Sequence, residues 1–330
     1  METAADRVER LTDEIARVVV GQRELIDGLL IALLCGGHAL VEGVPGLAKT
    51  TAIRTLAKVL GLGFGRIQFT PDLLPGDLVG TPVYVPDQRN FIVRRGPIFT
   101  KVLLADEINR APAKVQSALL EAMEEAQVTI GEETFPLPQP FFVMATQNPV
   151  DLEGTYPLPE AQIDRFLVKL VVPYPSAEDE RAIVALDHEK PPEIRAVADD
   201  AVVAMLRRAA ADVHVDPTVS DYAVRLVRAT RDLAAAGVRV DGPIRPDGPN
   251  ETDAMDCVTL GASPRASMYL VRTARARAFM DGRDYATPHD VKRMAPDVLR
   301  HRVMVSYEAE ADGIRPEDVI EAILTTVETP

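Results

Sequence analysis

The chain has no tryptophan, and Phe and Tyr together bring its aromatic content to only 5%. Surfaces that stack single-stranded nucleic acid are built from such rings, so a base-stacking platform is hard to assemble here. Positive charge is also short: 36 Lys and Arg face 50 Asp and Glu, for a formal net charge of −14. A field of that sign opposes nonspecific contact with phosphate backbones and makes nucleic acid an unfavoured partner. Cysteine occurs only at Cys35 and Cys257, with no CxxC or other zinc spacing, which predicts two reduced structural thiols. No run of 18 uncharged apolar residues exists, and Met1 to Asp6 is not a basic segment leading into an apolar one. Both absences predict a soluble, unexported protein with no membrane insertion.

With 330 residues, 47% of them hydrophobic, the chain is long enough for two domains with sizeable cores. The stretch Gly43-Val44-Pro45-Gly46-Leu47-Ala48-Lys49-Thr50 follows the apolar run His38 to Val41 and precedes a helical pattern from Thr51 to Leu60. A strand, a glycine loop and a helix start are what a phosphate cradle requires. Successive N–H groups make an anion-binding concavity, and the positive end of the helix points at it. Lys49 would reach the terminal phosphates of a nucleotide and Thr50 would hold a magnesium ion, although Ala48 stands where the usual pattern has its last glycine. The plainer alternative is a strand-to-helix turn with an exposed lysine. Val19, Val20, Gly21 and Gln22, just upstream, are placed to lie against a nucleotide base.

Lys101 to Glu107 reads as a buried strand ending in two carboxylates, at the sheet edge where open α/β folds bind ligands. Asp106 would hold magnesium through water, and Glu107 would polarise the attacking water. Phe141 to Asn148 is a second buried strand that brings Thr146, Gln147 and Asn148 to the same edge. Asn148 is a candidate water-orienting amide, or a strand-ending Asn before Pro149. Arg165 adjoins Asp164, a ready ion-pair partner. Ser263-Pro264-Arg265 specifies a helix start, and a cation in that first turn suits an anionic partner, either a phosphate or a local acid.

The remaining pattern is coarser. A first helix carries Leu11, Ile15, Val18 and Val19 and ends near Gly21; a second runs from Glu24 to Leu34. Phe64 to Phe69 reads as a strand. Thr70 to Thr100 is rich in Pro and Gly, with short strands at Pro82 to Val85 and Phe91 to Arg94. Ala113 to Gln127 is helical, Val128 to Phe135 forms a hairpin, and Leu167 to Val172 is strand-like. Composition changes at Pro173 to Ser176, a candidate domain boundary. Helical spacing then dominates at Ala201 to Ala210, Ser220 to Ala236, Pro264 to Met280 and Pro288 to Ala295, while Asp241 to Asp256 reads as an acidic, proline-bearing loop.

Taken together, Gly43 to Thr50, Leu103 to Pro112, Ala145 to Pro149, Leu158 to Phe166 and Gly261 to Ala266 resemble the AAA+ ATPases, and specifically the MoxR family. In that family Ala48 is the expected residue. The resemblance implies an α/β fold, an AAA+ P-loop NTPase core with a parallel sheet between helices, followed by an all-α lid domain. The core would span 1–175, with a helix-2 insert at about 70–100 and a pre-sensor hairpin at about 128–135; the lid would span 176–330. Gly43, Val44, Pro45, Gly46, Leu47, Ala48, Lys49, Thr50 and Thr51 would hold ATP, together with Asp106, Val20 and Gly21, and Thr50 and Asp106 would hold Mg2+. Glu107 would be the catalytic carboxylate and Asn148 the sensor-1 residue. Arg165 would be an arginine finger acting on ATP in the neighbouring subunit, and Arg265 the sensor-2 residue.

An assembly-dependent site implies a homo-oligomer, a hexameric ring. The family further implies a cytoplasmic, chaperone-like remodelling ATPase with a protein client and a separate partner carrying a von Willebrand factor A domain. The motor subunit of a metal chelatase is the nearest alternative, and a DNA-processing motor a more distant one. A GTP switch or a small-molecule kinase is a third, but no Asn-Lys-x-Asp guanine signature occurs.

Overall fold

Five short strands, apolar along most of their length, build the centre of the first half of the chain. We describe a computed structural model, which covers residues 4–44, 46–149, 155–185, 192–240 and 257–330. The acidic stretch 241–256 lies outside these residues. Contacts divide the chain into two compact units, Met1–Arg207 and Arg208–Pro330. The division falls inside one helix, beyond the composition change at Pro173 to Ser176.

In the first unit, α1 (Ala4–Ala16) and α2 (Arg23–Leu34) precede β1 (Ala39–Glu42), α3 (Lys49–Val59) and β2 (Phe64–Gln68). Then come α4 (Pro75–Val79), β3 (Gly80–Val85), β4 (Asn90–Arg95), β5 (Val102–Asp106), α5 (Ala113–Glu125), β6 (Gln127–Ile130) and β7 (Glu133–Pro136). Next follow β8 (Phe142–Gln147), α6 (Glu160–Ile163), β9 (Val168–Val171) and α7 (Ala177–Ala185), and α8 (Asp200–Ala211) carries the division. The sheet order is β2-β5-β8-β1-β9, with every pairing parallel. Parallel sheets are covered on both faces, so their inner strands lack polar alternation. Val102 to Ala105 and Phe142 to Thr146 are accordingly buried throughout. The edge strand β2 instead alternates at its end, with Arg66 and Gln68 exposed on either side of buried Ile67.

One core cluster packs Leu103, Ala105 and Val143 of the sheet against Val115 and Leu119 of α5. Two antiparallel hairpins, β3–β4 and β6–β7, fall where paired strands were expected. The first helix stops at Ala16 rather than near Gly21, because the N–H groups of Val18 and Val19 both return to the Ile15 carbonyl and close a turn.

The second unit contains β10 (His214–Val215), α9 (Pro217–Ala229), β11 (Val258–Leu260), α10 (Pro264–Met280) and β12 (Tyr285–Ala286). It continues with α11 (Pro288–Leu299), β13 (Met304–Val305), α12 (Tyr307–Ala311) and α13 (Pro316–Thr326). Among the described residues of this unit the strands form two two-stranded pairings, and the other elements are helices. Helix α9 ends at Ala229, short of the expected Ala236. There Thr230 Oγ1 donates to the Val227 carbonyl and accepts the Ala262 N–H, while Arg231 Nε donates to the Ala262 carbonyl. Helix α11 runs to Leu299 with Pro296 inside it, past the expected stop at Ala295. Cys35 and Cys257 are not joined in a disulfide. Among the described residues, no helix is long and apolar enough to cross a membrane.

Candidate active site

The chain leaves β1 at Glu42 and enters the glycine loop between two strand ends. The Gly43 N–H reaches the Gln147 carbonyl at 3.4 Å, and a Cβ on Gly43 would lie 3.0 Å from that of Val172. Gly46 has φ of 88°, and open space lies where its side chain would project. Ala48 is also left-handed, with φ of 55° and ψ of 16°, and stands at the N-cap of α3. Such a conformation costs a non-glycine residue about 1–2 kcal/mol, so the loop shape is imposed by its surroundings. Pro45 lies outside the described residues; Val44 and Leu47 are half-buried.

Helix α3 starts without a side-chain cap and without an acid in its first turn. Helices α9 and α12, by contrast, are capped by Asp216 and Ser306. The N–H groups opening α3 are thus left for an external acceptor, and the helix dipole favours an anionic one. Lys49 Nζ donates to the Gly43 carbonyl. Burial pushes the Lys49 ammonium below the usual lysine range, and the charges of Asp106, Glu107 and Glu42 oppose that shift. Thr50 is half-buried and Thr51 exposed in the same first turn.

The sheet register brings the acids together. Gln68 is aligned with Asp106, and Ala105 with Ala145, so Gln68, Asp106 and Thr146 form a row across β2, β5 and β8. Thr146 Oγ1 donates to Asp106 Oδ1 at 2.6 Å and accepts the Glu107 N–H at 2.9 Å. Arg66, two residues before Gln68 and hence on the same face, places Nη2 2.7 Å from Asp106 Oδ2. Gln68 Nε2 donates to Glu107 Oε2 at 2.8 Å, and Arg110 Nε lies 3.1 Å from the same oxygen. Glu107 is left-handed, with φ of 56°, a strain of roughly 1–3 kcal/mol that the Thr146 contact helps to offset. Arg66, Gln68 and Arg110 were absent from the sequence-derived site, and Thr146 entered it only as a polar strand end. The signal for Arg66 and Gln68 was present, as alternate polar positions closing an edge strand.

The other expected residues are distributed more widely. Asn148 is buried just beyond β8. Arg165 faces α5, donating to the Leu120 carbonyl at 2.7 Å and pairing with Glu124 at 2.9 Å, and none of the carboxylates above is among these partners. Gly21, with φ of 71°, lies where a side chain would meet that of Asp179, and Val20 beside it is half-buried. Arg265 is half-buried in the first turn of α10, in the second unit.

The profile of the ATPase family associated with various cellular activities (AAA) matches residues 38–168, and that of the AAA lid domain matches 250–323. Chaperone MoxR1 of Mycobacterium tuberculosis is 49% identical over 98% of this chain and 82% of its own length. The chain belongs to the MoxR family of AAA+ ATPases. Protein MoxR of Paracoccus denitrificans is 34% identical over 95% of this chain and 93% of its own. A crystal structure of a candidate ATPase from Cytophaga hutchinsonii superimposes with a TM-score of 0.88 at 45% identity, covering 99% of this chain and 96% of that one. The MoxR assignment makes the fold an AAA+ core followed by an AAA lid, and membership of a chaperone-like ATPase family implies nucleotide use.

The residues of the site suit a magnesium nucleotide. A hydroxyl at Thr50 and a carboxylate at Asp106 are hard oxygen donors, and magnesium is usually held by one or two carboxylates plus substrate phosphates. Among the described residues, no group of three or more His, Cys, Asp or Glu is placed to hold a metal ion.

Proposed function

We propose that this chain binds ATP with magnesium on the loop Gly43 to Thr51 and hydrolyses it to ADP and phosphate. The observation that carries the reading is the uncapped α3 N-terminus with its half-buried Lys49, close enough to Asp106 and Glu107 to feel both charges. Lys49 and the first-turn amides would bind phosphate oxygens; Thr50 and Asp106 would hold the metal; Val20 and Gly21 would lie against the base. Magnesium, when bound, supplies neutralisation of charge on the phosphate oxygens. Glu107 would hold and polarise the attacking water as general base, with Asn148 orienting it.

Arg165, tied in this chain to α5 rather than to the acids, would act on the nucleotide of a neighbouring copy, and Arg265 would report on the nucleotide of its own. The functional domains would be 1–175 and 176–330, assembled as a hexameric ring. Residues 70–100 and 128–135 would face the client or the pore. The work done would be chaperone-like remodelling of a protein client in the cytoplasm, with a von Willebrand factor A domain protein as partner. Nucleic acid is not the expected substrate, given the charge of −14.

Glu107→Gln tests the assignment. It removes the base and keeps the shape, so ATP should bind with near-normal affinity while turnover falls to background. Undiminished hydrolysis in that variant would overturn the reading.

A further inference from the structure

Arg66 has no role in the reading above, yet its guanidinium sits on the carboxylate assigned to the metal. Asp106 has a donor on each oxygen: the buried Thr146 hydroxyl on Oδ1 and Arg66 Nη2 on Oδ2. The same Nη2 lies 3.1 Å from Gln68 Oε1, which leaves Gln68 Nε2 to donate to Glu107 Oε2. One nitrogen of Arg66 therefore touches the metal-site acid directly and the general base through a single amide.

We propose that Arg66 is a positioning residue that competes with magnesium for Asp106 and, through Gln68, couples occupation of the metal site to the hold on Glu107. The proposal rests on the assignment of Asp106 to the metal. Any cation drawn to Asp106 meets a guanidinium already paired with it, and the two positive charges oppose each other. Arg66 is the partner able to leave. Its side chain is 45% exposed and anchored at one strand edge, whereas Thr146 is buried within the sheet. A partly exposed ion pair biases an equilibrium by a factor of about five or less, so a divalent ion can displace it.

Because the two contacts share Nη2, a departing Arg66 releases Gln68 as well. Glu107 then keeps Arg110 at 3.1 Å and the backbone bond to Thr146, but its amide partner is no longer held in orientation. The other charged groups near the acids, Lys49 and Glu42, belong to the phosphate loop and the end of β1 and do not touch Gln68 in the contacts described. In this arrangement the base is restrained while Asp106 is paired with Arg66 and loosened once the metal has replaced it.

The test measures binding of a fluorescent, non-hydrolysable ATP analogue at fixed concentration while magnesium is titrated. The proteins compared are the wild-type chain, Arg66→Ala, Arg66→Lys and Asp106→Asn, with thermal melts to confirm folding. Arg66→Gln replaces Arg66→Ala should the latter not fold. The neutral Arg66 variant should lower the magnesium midpoint by about fivefold, the lysine variant should stay within about twofold of wild type, and Asp106→Asn should raise the midpoint. A merely structural arginine would change the melt without lowering the midpoint. An unchanged or raised midpoint in the neutral variant, with Asp106→Asn still raising it, overturns the role of Arg66 and leaves the metal assignment standing. If Asp106→Asn leaves the midpoint in place, the metal assignment fails and the proposal fails with it.

Discussion

Thr146 Oγ1 donates to Asp106 Oδ1 at 2.6 Å while accepting the Glu107 N–H at 2.9 Å, so one buried hydroxyl fixes both acids at the end of β5. Thr146→Val keeps the shape and removes both bonds. An Asp106 oxygen loses its donor, and a left-handed Glu107 loses its anchor. The expected cost is about 1–3 kcal/mol in unfolding free energy, with a fall in turnover larger than that in nucleotide affinity. Thr146→Ser should recover most of both. Denaturant titration beside steady-state hydrolysis reads the two effects separately, and wild-type values in the valine variant would remove Thr146 from the site.

Arg165 supports a prediction about assembly. Its present partners, Leu120 and Glu124, hold it on α5, and within one chain its ion pair is with Glu124 rather than with the acids of the candidate site, Asp106 and Glu107. Arg165→Ala should leave ATP binding intact and cut turnover by about 10³–10⁵-fold, the scale of an arginine finger. Mixed in equal amounts with Lys49→Ala, itself inactive, it should regain activity, because about one interface in four would pair an intact loop with an intact arginine. No recovery at any mixing ratio would count against action across an interface.

Part of the candidate site was legible because its residues end apolar runs. Asp106 and Glu107 follow four buried residues, Asn148 follows the buried β8, and Lys49 opens a helix after a glycine loop, so chain order alone brings them to one sheet edge. Arg66 and Gln68 were marked only as alternate polar positions closing an edge strand. Their meeting with Asp106 and Glu107 depends on register between strands distant in sequence, which a local pattern does not encode, whereas Arg110 reaches Glu107 from three residues along the same turn. Helix ends were missed for a related reason. Thr230 ends α9 through bonds to Val227 and Ala262, one of them 32 residues away, whereas helical spacing continues past it. Pro296 misled in the opposite direction, since a proline near the end of α11 removes little helix.

Arg95 links the two hairpins of the first unit. Its guanidinium lies 4.8 Å from the ring of Phe99 and 5.6 Å from that of Phe135 in β7, and the rings meet edge-on at 6.4 Å. A double-mutant cycle with Arg95→Leu and Phe135→Leu should give a coupling of about 0.5–1 kcal/mol, read from unfolding free energies. Arg95→Lys should recover only part of it, since a compact ammonium cannot stack as a planar guanidinium does. Strict additivity would show that the hairpins are independent.

His38 supplies a pH dependence unrelated to the chemistry. It is buried, donates from Nε2 to the Met123 carbonyl at 3.1 Å and accepts the Val143 N–H on Nδ1 at 3.1 Å, an arrangement that requires the neutral ring. Burial is the main cause lowering its pKa to about 4; the Met123 bond opposes the shift and the charge of Arg207 adds to it. The folded chain thus resists a proton that the unfolded chain takes up at its ordinary value of 6.5. The stability from the neutral ring is complete above pH 6.5 and is lost progressively as pH falls toward 4. From this group alone, unfolding should cost about 2 kcal/mol less at pH 5 than at pH 7. Carboxylates titrate in the same range, so the diagnostic quantity is the difference between wild type and His38→Gln across that interval. The variant should be less stable at pH 7 yet show a shallower decline on acidification, and parallel declines in the two proteins would mean that His38 is not the group responsible.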